Sequence, residues 1–495
     1  MPASPIRKLA PYAEDAKKRG IHVFHLNIGQ PDLESPQKAL DAMHHIDRKT
    51  LEFSPSQGFA SLREKFVGYY KKFGIHLTPD EILVTCGGSE ALLLTYFACF
   101  NPGDELLMTE PSYANYLGFA VAAGISVKTV TSRIEDGFAL PSVEDFEAAI
   151  TPRTKAILIC NPNNPTGHLY TPEELFRLKE IVLKHNLFLI ADEVYREFVY
   201  VEEPYVSTLT LYGLEDHVIV VDSVSKRYSE CGIRVGMIDT HNKELMKTIL
   251  KFAQARLSPP LLGQIVAEAS IEGTEEYALA CFNEYKARRD FFIKGLNEIP
   301  GVFSPMPEGA FYTVASLPVD DAERFCKWCL TDFSYVPSEE DKAYVASGQE
   351  GLPAESETIS AESRLEEIPA SGEVHTPERK EALKQVMIEE LDRGLIDQFL
   401  PHKRQMEPMY FDSMANVEEE EHTQGLVPSG PKVHFDGEYT GYTVMMAPAA
   451  GFYTHKELGA NQVRMAYVLK IEELQKALIV LRAALREYNK MRGAI

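Results

Sequence analysis

Short apolar runs alternate with helical patterns between Glu81 and Asp239. Seven runs have the length of a strand: ILVTC from Ile82, ELLMT from Glu105, SVKTV from Ser126, AILIC from Ala156, LFLIA from Leu187, VIVVD from Val218 and RVGMI from Arg234. Several are apolar on both faces, and a helical pattern separates most of them. This alternation is typical of a buried, mainly parallel sheet covered by helices. The sequence therefore predicts an α/β fold here.

The pattern changes after Lys286, where helical stretches mix with short strands. The strand-like stretches are GAFYTVASL, YTVMMAPAA and QVRMAYVL, and the last predicted element is the amphipathic helix IEELQKALIVLRAALREYNKMRG. This mixture predicts a smaller α+β domain. The expected organisation is an N-terminal arm at 1–40 joining the small domain, a large domain at 41–290, a small domain at 291–335 and 441–495, and an inserted segment at 336–440.

The segment 336–440 differs in composition from its surroundings. It holds 24 Asp and Glu against 9 Lys and Arg, a net charge of −15. Its first part, 338–373, is polar and rich in Ser, Gly and Pro, so it cannot bury enough apolar surface to offset the entropy lost on ordering. We expect disorder there, a helix over about 378–400 and an acidic run at 418–421. This is interpreted as a surface insertion that could bind an unidentified protein partner.

Charge and hydropathy limit the classes of partner. The 495 residues carry a formal net charge of −23, so −8 remains for the 390 residues outside the insertion. A chain this acidic lacks the basic footprint that nucleic acids require. The longest apolar run, 91–100, is far shorter than the roughly 20 residues of a membrane span, and the first residues do not resemble a signal peptide. A cytoplasmic protein with no membrane or nucleic-acid partner is expected.

The cysteines are expected to be reduced and buried. Seven are present, most of them single residues in apolar runs, which is typical of structural thiols. Cys326 and Cys329 form one C-x-x-C in the amphipathic pattern AERFCKWCL. Because no second ligand pair accompanies them, core packing is favoured over metal or redox chemistry. No metal site is expected.

Polar residues follow the predicted strands, and in parallel α/β sheets ligands bind at these carboxyl ends. After ILVTC, 87–90 (GGSE) opens a helix whose free amides and dipole suit an anion such as phosphate, although Gly pairs are also common in tight turns. After AILIC, NPNNPTG at 161–167 displays Asn163 and Asn164, which could equally serve as helix caps.

Two further strand ends carry ionisable groups. LFLIADEVY ends a buried run at Asp192 and places Tyr195 one helical turn later. A carboxylate there is costly without a cationic partner, and a helix cap or structural salt bridge is the alternative. VIVVDSVSKRYSECGIRVG presents four polar groups: Ser223, Ser225, Lys226 and Arg234. A lysine beside an apolar cleft can act as a nucleophile or form a Schiff base.

Together these segments resemble the class I and II aminotransferases of fold type I, which use pyridoxal 5′-phosphate. The resemblance runs from Pro11 to Tyr335 and resumes from Tyr442 to Tyr488. The matching motifs are IGQPD at 28–32, SQG-x3-LRE at 56–64, GGSEA at 87–91, NPNNPTG at 161–167, ADEVY at 191–195, SVSK at 223–226 with Arg234, and NQVRMAY at 461–467. The resemblance implies a large domain with a seven-stranded, mostly parallel sheet, a smaller α+β domain, and a homodimer with active sites at the subunit interface.

The resemblance also implies a role for each matching residue. Lys226 would form the Schiff base with the cofactor and move the substrate proton. Asp192 would pair with the pyridine nitrogen, while Asn164 and Tyr195 would hydrogen-bond the phenolic oxygen. Tyr113 falls where the family stacks an aromatic ring on the pyridine. The remaining cofactor residues would hold the phosphate: the amides of Gly88, Ser89 and Glu90, with Ser223, Ser225 and Arg234.

Arg464 resembles the family's arginine that clamps the substrate α-carboxylate, assisted by the main chain of Gly29 and by Asn164. One position departs from the family: Phe53 stands where many members have a tyrosine that reaches the phosphate of the partner subunit. A phenyl ring cannot donate that hydrogen bond. Either cofactor affinity is lower here, or Ser54 or Ser56 compensates.

The implied activity is transfer of an amino group between an L-amino acid and a 2-oxo acid in a ping-pong cycle. Other reactions on the same scaffold are the alternative, namely β-elimination or a cyclising elimination as in aminocyclopropane-carboxylate synthase, because the same Lys, Asp and Arg serve all of them. A non-catalytic cofactor-binding regulator is a third class, against which the complete pocket argues. The amino acid remains open between aspartate, aromatic and alanine types.

Overall fold

Twelve strands and fourteen α-helices form the part of the chain that the computed structural model describes, namely residues 5–202, 205–348, 351–353, 435 and 439–493. The strands are β1 (Ile21–His25), β2 (Ile82–Thr85), β3 (Glu105–Glu110), β4 (Ser126–Thr131), β5 (Thr154–Cys160), β6 (Phe188–Asp192), β7 (Val218–Ser223), β8 (Gly236–Asp239), β9 (Tyr312–Ser316), β10 (Gly441–Met445), β11 (Ala447–Pro448) and β12 (Gln462–Ala466). The helices are α1 (Ala10–Lys18), α2 (Gln37–His44), α3 (Ala60–Lys71), α4 (Gly87–Cys99), α5 (Asn115–Ala123), α6 (Val143–Ala149), α7 (Pro172–His185), α8 (Val224–Arg227), α9 (Lys243–Ala255), α10 (Leu261–Ser270), α11 (Glu275–Asn297), α12 (Ala322–Thr331), α13 (Glu339–Ala346) and α14 (Ile471–Met491).

Seven strands form one mixed sheet in the order β2-β8-β7-β6-β5-β3-β4. All neighbours from β7 to β4 are parallel, whereas β8 runs antiparallel to both β2 and β7. Successive side chains enter opposite apolar clusters: on β5, Leu158 belongs to one and Ile159 to the other. Burial on both faces explains the continuous apolar runs. The predicted α/β fold with a seven-stranded, mostly parallel sheet is confirmed.

The register of this sheet brings the polar strand ends to one edge. Cys160 at the end of β5 pairs with Asp192 at the end of β6, and Ser223 at the end of β7 pairs with Gly236 at the start of β8. Helix α4 begins at the same edge, so close to β8 that a Cβ on Gly236 would lie 2.5 Å from the carbonyl carbon of Gly87. Only glycine fits there. Segments distant in sequence therefore meet at this edge.

The later strands form two small sheets. β1 pairs in parallel with β10, which joins the N-terminal arm to the C-terminal part of the chain. The strands β11, β12 and β9 form an antiparallel sheet in that order. Helix α14 packs against α11, α13 and β10. The chain divides into residues 1–353 with 431–495 as one unit and 354–430 as a second.

The chain leaves and re-enters this fold at adjacent points around the predicted insertion. Tyr335 and Tyr442 form an isolated antiparallel bridge with backbone hydrogen bonds of 2.9 and 2.8 Å. The next residues form α13, so the expectation of disorder is wrong for that stretch. Ser338 and Asp341 form a capping box at its start, and the Tyr335 hydroxyl donates to the Asp341 carboxylate at 2.6 Å. The expected helix at 378–400 and the acidic run at 418–421 lie outside the described residues.

The structure supports core packing for the C-x-x-C pair. Cys326 and Cys329 lie on α12, fully buried in the larger apolar cluster, and both are free thiols. Burial raises the pKa of both thiols, which disfavours the reactive thiolate. None of the described helices combines the length and apolar character that a membrane crossing needs.

We expect residues 354–434 to be dispensable for folding of the rest. Pro353 accepts a hydrogen bond of 2.8 Å from Arg482, and the ammonium of Lys476 lies 5.7 Å from the ring centre of Phe435. Both ends of the segment therefore contact α14. The two helix residues that they contact, Arg482 and Lys476, are about 9 Å apart along the helix axis. About eight Gly and Ser residues span roughly 16 Å. Replacing 354–434 with such a linker should shift the melting temperature by less than about 5 °C. Failure of the shortened chain to fold would show that the segment is structural.

Candidate active site

Lys226 lies in the short helix α8, directly after β7. The Ser223 hydroxyl caps this helix by accepting from the Ser225 amide at 3.1 Å. The Lys226 amine donates to the carbonyl oxygen of Gly29 at 3.0 Å and lies 3.8 Å from the Cys231 sulfur. The predicted lysine is thus half-buried and directed toward the predicted substrate loop at 28–32.

Asp192 ends β6 as a buried carboxylate. It accepts a hydrogen bond from the Tyr116 hydroxyl at 2.7 Å and a longer one from the Val194 amide at 3.4 Å. Burial raises its pKa to about 6, against the smaller opposing effect of Lys226. Within the described ranges no Lys, Arg or His side chain forms an ion pair with it. A cationic group placed against Asp192 would stabilise its ionised form and lower its pKa.

A chain of hydroxyl and amide groups connects the Asn164 loop to the substrate loop. The Asn164 side-chain amide donates to the Tyr195 hydroxyl at 3.4 Å, and Tyr195 donates to the Tyr312 hydroxyl at 3.1 Å. Tyr312 in turn donates to the carbonyl oxygen of Gly29 at 3.2 Å. Asn164 and Tyr195 therefore lie together, as predicted, and Tyr312 on β9 joins them without a signal in the local sequence.

Arg464 on β12 is buried beside Asn164. Its guanidinium donates to the Asn164 side-chain oxygen at 3.3 Å and to the main-chain carbonyl of Asn27. It lies over the rings of Tyr312 and Phe452, at 4.7 and 5.2 Å from their centres. Its Nε is buried without a hydrogen-bond partner, and among the described side chains no carboxylate pairs with it. A buried, unpaired guanidinium is suited to a carboxylate ligand.

The predicted anion-binding groups surround the start of α4. The helix begins at Gly87, so the amides of Gly88, Ser89 and Glu90 belong to its first turn, where backbone N–H groups have no helical acceptor. A Cβ on Gly87 would lie 2.5 Å from the Arg234 guanidinium.

Across the same edge, the hydroxyls of Ser223 and Ser225 are 2.7 Å apart. Amides, hydroxyls and a guanidinium therefore face the same edge of the sheet. Together they provide the donors that a phosphate requires.

Tyr113 packs against Tyr116, the residue whose hydroxyl donates to Asp192. Its ring packs edge-on against Tyr116 with centres 5.3 Å apart, and its hydroxyl accepts from the Asn115 side chain at 2.7 Å. Burial raises the pKa of Tyr113 to about 12, so it remains a neutral phenol. Tyr116, three residues later in the same motif, is a site residue that sequence reasoning missed.

A buried ionic network lies beneath the site. The Asp222 carboxylate accepts from the guanidinium of Arg196 at 2.7 Å and from that of Arg227. Arg196 also donates to Glu193 at 2.9 Å. The guanidinium groups lower the pKa of Asp222 against the opposing effect of burial. Since Arg196 follows Tyr195 and Arg227 follows Lys226, this network connects the two segments that carry the predicted catalytic residues.

Phe53 is 77% exposed, and the two residues predicted to compensate for it are engaged elsewhere. The Ser54 hydroxyl is buried, donating to the Pro259 carbonyl at 3.1 Å and accepting from Gln264 at 2.9 Å. The Ser56 hydroxyl donates to the carbonyl of Leu257 at 2.5 Å. Each hydroxyl thus donates its single hydrogen to a carbonyl of the chain and has none left for a phosphate.

Comparison with known proteins decides the family. Residues 21–340 match the family model described as aminotransferase class I and II. An aspartate aminotransferase of Thermotoga maritima is 31% identical over 67% of this chain and 87% of its own length. An aspartate/prephenate aminotransferase of Thermus thermophilus is 30% identical over 61% of this chain and 78% of its own. The solved structure of an alanine aminotransferase from Pyrococcus furiosus superposes with a TM-score of 0.68 at 26% identity, covering 98% of both chains.

The chain belongs to the class I and II aminotransferase family. It is an enzyme that transfers an amino group between an amino acid and a 2-oxo acid, as predicted from its motifs. The relatives give no support to the eliminating alternatives. Fold type I is likewise shared with the structural neighbours.

The loop that carries Asn164 in this aminotransferase is held by a buried charged group. The ring nitrogens of His168 lie 3.0 Å from Glu174 and 3.3 Å from Glu308. Hydrogen bonds and charge interactions with both carboxylates raise the His168 pKa to about 9, against the opposing effect of burial. The amides of Glu308 and Gly309 also donate to the Gly167 carbonyl. A protonated His168 therefore ties the loop to the segment before β9.

We expect His168 to make the stability of the enzyme fall in alkaline solution. The pKa of His168 in the folded protein is above the ordinary value of about 6.5. Its contribution to the free energy of unfolding is therefore complete below pH 6.5 and is lost as pH rises through about 9. The contribution is at most about 3 kcal/mol. Thermal unfolding between pH 6 and 10 should show a steeper decline for the wild type than for His168→Gln. Parallel curves for the two proteins would rule out a charged His168.

Proposed function

We propose that this aminotransferase carries pyridoxal 5′-phosphate on Lys226, with Asp192 against the ring nitrogen and the phosphate at the start of α4. The observation that carries the proposal is the buried Asp192 carboxylate, which is hydrogen-bonded yet has no cationic partner among the described side chains. A protonated pyridine nitrogen supplies that cation, so burial of the carboxylate is no longer costly.

The other groups of the site fit the same cofactor. The first-turn amides of α4, the paired hydroxyls of Ser223 and Ser225, and Arg234 offer donors to a phosphate. The Asn164 amide has a second N–H for a phenolic oxygen, and the Tyr195 hydroxyl would turn from Tyr312 to donate to the same atom. Tyr113 offers an aromatic face beside Asp192. A phosphate site, a carboxylate and an amine at one sheet edge support a phosphorylated pyridine aldehyde over other cofactor classes.

When bound, the cofactor would supply an electron sink for the electrons released at the substrate Cα. The residues of the chain then position and move protons. Lys226 Nζ would accept the proton from Cα and return it to the neighbouring cofactor carbon. The Asp192 carboxylate would keep the ring nitrogen protonated, because its negative charge stabilises the protonated ring. Tyr195 and Asn164 would hydrogen-bond the phenolic oxygen.

Arg464 is proposed to bind the substrate α-carboxylate through a bidentate pair, with the main chain of Gly29 and the side-chain amide of Asn164 beside it. Its rigid setting over Tyr312 and Phe452 fixes the direction of the guanidinium. Relatives are named for aspartate, prephenate and alanine. The substrate class proposed for this chain is therefore an L-amino acid and a 2-oxo acid.

A homodimer is proposed on an exposed apolar patch. Ser54 and Ser56 bond to Pro259 and Leu257, which places two loops side by side. These loops and the start of α10 expose large apolar side chains: Leu51 at 66%, Phe53 at 77%, Leu257 at 54% and Leu262 at 45%. Contiguous exposed apolar surface of this kind marks a protein interface. A second copy of the chain would cover it.

The covalent part of the proposal is tested with borohydride. Purified protein mixed with pyridoxal 5′-phosphate should turn yellow, and reduction should fix the cofactor on the peptide that contains Lys226. Lys226→Ala should abolish the adduct, whereas the exposed Lys247→Ala should behave as the wild type. An adduct on another lysine, or none in the wild type, would overturn the proposal.

For Arg464, the conservative variant Arg464→Lys should raise KM for both the amino donor and the 2-oxo acid about 10- to 100-fold, because an ammonium cannot form the bidentate pair. Cofactor affinity, measured by absorbance titration, should change by less than about threefold, since Arg464 is predicted to contact only substrate. Equal losses in both measurements would indicate a structural role instead.

A further inference from the structure

Arg256 directs its guanidinium to the start of α4. It follows the last residue of α9, and its Nη2 donates to the carbonyl oxygens of Ser56 at 3.2 Å and Val84 at 3.1 Å. Val84 lies on β2, two residues before the turn into α4. Two carbonyl groups therefore fix one end of the guanidinium beside the predicted anion site.

The remaining nitrogens of Arg256 lack hydrogen-bond partners. Both Nε and Nη1 are buried without an acceptor in the described part of the chain. Nε lies 3.5 Å from a carboxylate oxygen of Glu90, close enough for charge attraction. Buried donors left unpaired are costly, so most find a partner in the functional protein. Since Nε faces Glu90, the unpaired Nη1 is the donor that points to an acceptor binding here.

The charges at this helix end also require a cation. Glu90 lies in the first turn of α4, and its carboxylate accepts from the Cys86 amide at 2.8 Å. A phosphate bound to the amides of the same turn would be repelled by that carboxylate. The positive charge of Arg256, 3.5 Å from the Glu90 carboxylate, offsets this repulsion. At the same time Phe53 has no hydroxyl, and the hydroxyls of Ser54 and Ser56 are already bonded.

We propose that Arg256 is a phosphate-binding residue of this aminotransferase, whose unpaired Nη1 completes the anion site at the start of α4 in place of the hydroxyl that Phe53 lacks, while its Nε faces Glu90. Nη1 has two N–H donors on a positively charged group, so it can give a phosphate oxygen a charge-assisted hydrogen bond. This inference rests on the proposed function, because it assigns the phosphate to the cofactor. It adds a cationic ligand from α9 to those predicted after β2, after β7 and before β8.

The test compares two forms of the cofactor on the full-length apo-protein. Arg256→Gln should weaken binding of pyridoxal 5′-phosphate about 10- to 100-fold, the effect expected for loss of a charge-assisted pair. Pyridoxal, which lacks the phosphate, should bind the variant and the wild type equally. The affinity of Arg256→Lys for pyridoxal 5′-phosphate should lie between those of the wild type and Arg256→Gln. The control is Arg324→Gln on α12, an exposed arginine paired only with Asp320, which should leave both affinities unchanged.

A second arm uses the position of Phe53. If Arg256 stands in for the missing tyrosine, Phe53→Tyr should tighten phosphate-dependent binding and should restore most of the affinity lost in Arg256→Gln. Wild-type affinity of Arg256→Gln for pyridoxal 5′-phosphate would overturn the inference, as would equal weakening of both cofactor forms. These results are distinct from failure of the proposed function, in which the wild type itself would form no adduct on Lys226.

Discussion

The candidate site depends on one interaction, the ion pairing of the buried Asp222 carboxylate with two arginines. This carboxylate is completely buried, and a buried charge is tolerated only when its partners are nearly complete. Here the guanidinium groups of Arg196 and Arg227 provide the opposite charge, and the Ser223 amide adds a further contact. Each arginine is the neighbour in sequence of a residue proposed to act in the reaction. Removing one partner from such a pair typically costs 3 to 5 kcal/mol, so the geometry of these two segments is tied to the stability of the fold.

A second buried carboxylate, that of Asp239, is connected to this network through the Tyr70 hydroxyl. The Tyr70 hydroxyl lies 2.9 Å from Asp222 and 2.6 Å from Asp239, yet it has only one hydrogen to donate. Burial raises the pKa of Asp239 well above its usual range, while arginine contacts lower that of Asp222. The two carboxylates therefore compete for the single hydrogen of Tyr70. The pKa values of these two carboxylates on adjacent strands are thus shifted in opposite directions, which reduces the repulsion between them.

Much of the fold could be predicted because burial on two faces leaves a local mark, as in AILIC and VIVVD. Lys226 and Asp192 could be predicted because they follow such runs directly. Tyr312 and Arg256 could not, since they come from β9 and the end of α9 and reach the site only through tertiary packing. The helix α13 was missed for another reason: the SEED sequence at 338–341 contains the capping pair, but the acidic composition of the segment outweighed it. Local hydrogen bonds can order a short stretch whose average composition suggests otherwise.

The bridge between Tyr335 and Tyr442 has a consequence for how this chain can vary. The backbone bridge fixes Tyr335 and Tyr442 next to each other. The residues between them in sequence therefore form a loop whose two ends are held by the fold. The entropy of closing a flexible loop rises only with the logarithm of its length, so a tenfold longer connection costs about 2 kcal/mol. Sequence can therefore be gained or lost at this point over evolutionary time with little change in the folding equilibrium of the catalytic body, which makes it a natural place for new binding functions to arise beside an old reaction.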